Sequence, residues 1–121
     1  MVYRILVLLG LFFGFYSCND GEACTEDFRT VIITVSGDPL SEAYTIRKET
    51  DEKLNFNHQN ALGAESYIVV DDTYVEKMKN QTLDFLFVGV LSGTVVVEEE
   101  FTIRADECHV EYVSGNTDVV I

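Results

Sequence analysis

Hydrophobic and polar residues begin to alternate at residue 28. Residues 28–35 read Phe-Arg-Thr-Val-Ile-Ile-Thr-Val, with Val31, Ile33 and Val35 at one parity and Thr30, Ile32 and Thr34 at the other. A period of two built from β-branched residues fits a pleated strand. Ser36-Gly37-Asp38-Pro39 is a turn signal. Alternation resumes over 43–49, where Tyr44 and Ile46 read as inward and Thr45, Arg47 and Glu49 as outward. Asp51-Glu52 breaks the pattern, Leu54 and Phe56 suggest a short strand, and residues 57–63 read as a polar loop.

Residues 66–70 predict a further strand. Thr73-x-x-Glu76 is a capping-box pattern, so a short helix is expected near 73–80, with Asp71 and Asp72 at its positive end. Residues 83–90 are apolar at both parities, as in a strand covered on both faces. Ser92-Gly93 has the length and the glycine of a tight hairpin turn. Beyond it Val95, Val97, Phe101 and Ile103 share a parity that Glu99 interrupts, which predicts a bulge or break at 98–100. Asp106-Glu107 turns the chain. Cys108, Val110 and Tyr112 then read as inward, His109 and Glu111 as outward, and 119–121 as an edge strand after the Ser114-Gly115-Asn116 turn. These elements predict an all-β fold: an antiparallel two-sheet sandwich of about seven strands, immunoglobulin-like or transthyretin-like, with one short helix.

The first 17 residues follow different rules. Arg4 precedes an apolar stretch over 5–16, and the chain turns polar immediately after Cys18 with Asn19-Asp20-Gly21-Glu22. The stretch has 12 positions, short of the roughly 20 that a membrane helix needs, and it fits the central part of an export signal. It has no polar face, as a core element would have. Phe15-Tyr16-Ser17 lacks the small residues of an ordinary cleavage site but places Ser17 directly before Cys18. Phe15-Tyr16-Ser17-Cys18 resembles the loosened lipobox of Bacteroidota lipoproteins, with bulky residues at the first two positions instead of Leu and a small residue. The resemblance implies a signal peptide over 1–17, an acyl chain on Cys18, a lipidated tether over 18–25 and a β-sandwich domain over 26–121. It also implies the cell envelope, at the outer membrane, on either its periplasmic or its surface side. Asp20 and Glu22 stand where such proteins carry a surface-export mark, and equally where a tether needs solvation. The rest of the chain is similar to the small domains of unknown function common in that group.

Charge narrows the partners. The 121 residues carry 8 Lys and Arg against 21 Asp and Glu, a formal −13, and without Arg4 the mature part stands at −14. Such a chain repels nucleic-acid phosphates, which excludes DNA and RNA as ligands, and it repels anionic headgroups, so the membrane link rests on acyl chains. A cationic partner, either another envelope protein or a divalent ion, suits the charge; so does plain solubility.

With Cys18 lipidated, Cys24 and Cys108 remain, and in an oxidising compartment they are expected to pair. There is no C-x-x-C motif, and the two histidines are His58 and His109. His109 with Glu111 supplies two ligands where zinc needs three or four. Glu98-Glu99-Glu100 lacks calcium-loop spacing and reads as a charged strand that resists edge pairing. A Ser/His/Asp arrangement has no G-x-S-x-G to support it. No cofactor or metal site is expected. The sequence therefore points to a lipid-anchored, non-catalytic binding module, with loops 36–41 and 57–63 as its contact candidates. An inhibitor of a cationic hydrolase such as lysozyme and a small envelope hydrolase are the alternatives.

Overall fold

β1 (Thr30–Ser36) points Val31, Ile33 and Val35 into the core, where they are at most 5% exposed. The parity read from the sequence holds along the whole strand. The structure, a computed structural model, describes residues 24, 26–57 and 65–121. The expected signal segment, Cys18, most of the tether and His58 lie outside the described residues.

Among the described residues eight strands build two sheets, and the fold is an all-β sandwich. They are β1, β2 (Glu42–Arg47), β3 (Glu52–Leu54), β4 (Ser66–Asp71), β5 (Thr82–Leu91), β6 (Thr94–Ala105), β7 (Val110–Ser114) and β8 (Asp118–Val120). One sheet has the order β4-β1-β8, the other β3-β2-β5-β6-β7. Val31, Ile33, Val35, Tyr67 and Val69 from the first meet Phe85, Phe87, Phe101 and Ile103 from the second. β5 sits at the centre of its sheet, as its apolar faces predict. Ser92 and Gly93 join it to β6 with φ of 51° and 82°. Both values are positive, as a two-residue hairpin turn of the primed type requires.

Five expectations need correction. First, β8 runs parallel to β1, whereas the other paired strands are antiparallel as expected. β7 belongs to the edge of the larger sheet, and the chain then crosses at Gly115 to the smaller one, so β8 arrives in the direction of β1. Gly115 has φ 137°, and a Cβ there would lie 2.4 Å from Phe101 Cδ2, so the crossing needs glycine.

Second, β2 faces the opposite way from its hydrophobicity. Ala43 and Thr45 are buried while Tyr44 and Ile46 are half-exposed. Thr45 tolerates complete burial because its Oγ1 donates to the Val69 carbonyl at 2.6 Å.

Third, the helix is a 3-10 helix over Asp72–Lys77. Its N-cap is Asp71, whose side chain accepts from Thr73 N, so the capping-box residue Thr73 is the donor rather than the cap.

Fourth, the β6 bulge falls at Val96, between the pairs Val90↔Val95 and Gly89↔Val97. The register runs without interruption through Glu98, Glu99 and Glu100, and Glu99 lies half-buried at the inward parity opposite Phe87.

Fifth, His109 is buried at 7% exposure while Tyr112 is 47% exposed, the reverse of the expected parity. β7 starts only at Val110; His109 belongs to the preceding turn and follows that turn's geometry.

Candidate functional site

Cys24 and Cys108 stand at disulfide-bonding distance, with Cα atoms 5.2 Å apart, across 84 positions of sequence. The pair sits where Asp106 reverses the chain between β6 and β7. Asp106 Oδ1 accepts from the backbone N–H of Cys108 at 2.7 Å and of His109 at 2.8 Å. Those two bonds hold its carboxyl below the usual carboxylate range.

Asp72 is the hub of this end of the molecule. Its Oδ2 accepts from Arg29 N at 2.8 Å, its Oδ1 from Val110 N at 2.8 Å, and His109 Nδ1 lies 2.7 Å from Oδ2. One carboxylate thereby joins the lead-in to β1, the start of the 3-10 helix and the start of β7. Burial pushes the Asp72 carboxyl up, but the Arg29 amide, the His109 ring and the Val110 amide outweigh it and leave it below the ordinary value. The carboxylate is therefore ionised at neutral pH and acceptor-only, so His109 Nδ1–H is the donor. A carboxylate that orients an imidazole is also part of a hydrolytic triad. Here each oxygen also accepts a backbone amide, and both side chains are only 8% exposed. The arrangement locks three segments together.

A second polar cluster ties β2 and β3 to the helix. Arg47 donates to the Tyr74 hydroxyl at 3.1 Å and to Glu49 at 2.8 Å, and the Tyr74 hydroxyl donates to Glu52 at 3.0 Å. Arg47 Nε is buried and finds no acceptor among the described residues. Tyr74 packs edge-on against Phe85 and Phe56, at 6.1 Å and 6.3 Å. Burial above all raises the Tyr74 hydroxyl pKa, away from any acid–base role near neutrality. The Asp71-Asp72 doublet was the one sequence signal for the first cluster. Arg47 read only as an outward strand residue, and nothing local linked it to Tyr74.

The remaining candidates do not converge. Glu111 pairs with Arg104 at 2.9 Å and shares no site with His109. Glu98 and Glu100 are exposed, and Glu100 pairs with Lys48. Among the described residues no three His, Cys, Asp or Glu side chains group as metal ligands, and no helix is long and apolar enough to cross a membrane.

The ends of the sandwich differ. Arg29, Asp72, Asp106 and Cys108 gather at one end. At the other, Ser41 Oγ donates to Val90 O at 2.9 Å and accepts from Ser92 N at 3.1 Å, joining loop 36–41 to the β5–β6 turn. The 12 residues of β6 separate the two ends, a span of about 35 Å. Of loop 57–63 the structure describes Asn57, whose carboxamide accepts from Ile68 N at 2.7 Å and donates to Ile68 O at 2.9 Å. It covers part of the outer edge of β4 in the manner of a strand. No protein-family model, curated protein or solved structure matches the chain.

Proposed function

We propose that the protein is a lipid-anchored binding module of the cell envelope, without catalysis. The observation that carries the reading is the position of Cys24. It lies six residues after the lipobox cysteine, Cys18, and is held against Cys108 at one end of the sandwich. Loop 36–41 and the β5–β6 turn occupy the opposite end. A short tether entering one end leaves the far end pointing away from the bilayer, where loops carry recognition. The Asp72–His109 pair supports a structural role, because the same carboxylate ties the β1 lead-in and the start of β7 to the 3-10 helix.

The test is metabolic labelling with radiolabelled fatty acid. Label is expected on the wild-type protein and absent from Cys18→Ala. Label that survives the substitution ends the anchored reading. Capture from envelope extracts by the full chain then tests binding, and failure to retain any partner across a range of salt counts against it.

A further inference from the structure

β7 ends at Ser114 opposite Thr102, whereas β6 runs on to Thr94. Among the described residues no strand pairs with the outer side of residues 94–100. The direction of the backbone groups there follows from two bonds. Ala105 N donates to Gln81 O at 2.9 Å, on the β5 side, and Asp106 N donates to His109 O at 3.1 Å, on the β7 side. Backbone groups alternate sides along a strand, so Glu98 turns its N–H and C=O away from β5, into the stretch that β7 does not reach. The adjoining Val95 and Val96 are 48% and 37% exposed. An open edge flanked by apolar side chains is a template for an added strand.

We propose that this free edge of β6 receives an extended, cationic segment of a partner protein as an additional strand. The inference rests on the binding-module reading and supplies its contact surface and the chemistry of its partner. Charge selects the occupant. Glu98 and Glu100 are exposed on either side of the half-buried Glu99, Glu100 already paired with Lys48, and the chain carries −13 overall. A second copy laid along the same edge would set this triplet against itself, and like charges facing across a ladder destabilise it. A segment alternating Lys or Arg with aliphatic residues matches both the glutamates and Val95–Val96. The edge also lies toward the end of the sandwich remote from Cys24, open to a partner that approaches from outside the tether.

The experiment uses the full chain in detergent micelles and a fluorescent probe peptide of sequence Lys-Val-Lys-Val-Lys-Val-Lys. Three comparisons accompany it: the same peptide N-methylated at alternate residues, its Glu-for-Lys counterpart, and the Glu98→Lys protein. Binding of the Lys peptide is expected, with loss of about tenfold in affinity or more for each comparison. Hydrogen exchange on the wild-type complex is expected to slow at the Glu98 amide, a readout that needs no variant to fold. Equal binding of the N-methylated peptide would reduce the contact to charge attraction and overturn the proposal. So would an unprotected Glu98 amide, or affinity unchanged by Glu98→Lys. Fatty-acid labelling at Cys18 separates the two readings: label without strand addition removes this edge and spares the anchor, while strand addition without label does the reverse.

Discussion

Asp72 and His109 stand 37 positions apart in sequence and meet at 2.7 Å, each side chain only 8% exposed. The contact closes the end of the sandwich at which Cys24 and Cys108 also meet. The carboxylate serves backbone as much as side chain, so its loss reaches three segments at once.

Asp72→Asn keeps the shape of the side chain but sets an amide N–H against donors from Arg29, Val110 and His109. A loss of about 2–3 kcal/mol is expected, because a buried donor left unmatched costs its desolvation. Urea unfolding measures it. A change below about 0.5 kcal/mol, the level of an ordinary surface substitution, would remove Asp72 from its role as hub.

Acid should weaken the fold through the same group. The folded-state pKa of Asp72 is lowered, so its stabilisation is complete above the unfolded value of about 3.9 and is lost as pH falls through the folded value. Asp106, also lowered, acts in the same direction. The urea midpoint should hold near neutrality and drop below about pH 4. Asp72→Asn should flatten that drop; a midpoint that declines as steeply in the variant as in the wild type contradicts the assignment.

A bridge between Cys24 and Cys108, which stand at bonding distance, would close a loop across 84 positions. In the chain-entropy picture such a closure is worth about 4.5 kcal/mol. Cys24→Ser with Cys108→Ser should lower stability by that order. Intact mass of the wild type should rise by two hydrogens on reduction, and two alkylatable thiols in the untreated protein would contradict the bridge.

Thr45 is fully buried, and its hydroxyl donates to the Val69 carbonyl. Thr45→Val keeps the shape and strands that carbonyl, at a cost of about 1–2 kcal/mol, whereas Thr45→Ser should retain the bond. A valine variant as stable as the wild type would mean that the hydroxyl contributes nothing to the packing of β2 on β4.

Strands were legible where local pattern and tertiary environment agree. In β1 the buried positions alternate as the sequence does, and in β5 the apolar residues at both parities match its place at the centre of the sheet. In β2 hydrophobicity points the wrong way, because Tyr44 and Ile46 are more apolar than Ala43 and Thr45. The bond that lets Thr45 sit inside comes from β4, 24 positions away. Alternation does not extend from Val110 back to His109, which lies in a turn whose shape Asp106 dictates. A charge at an inward parity imitates a break in the strand, so the glutamates mask the true position of the bulge. Glu99 is accommodated half-buried, and the extra residue is an ordinary valine. The pairing of Asp72 with His109 joins distant segments and leaves no periodic trace. The Cys24–Cys108 pairing came from counting thiols rather than from pattern.

β1 lies between β4 and β8, so one of its neighbours is made long after it. A nascent chain cannot seat its first strand on both sides until residue 120 has left the ribosome. Contacts so remote in sequence slow folding. The smaller sheet is therefore the last part of the sandwich to close, because its middle strand waits for a partner from the far end of the described residues.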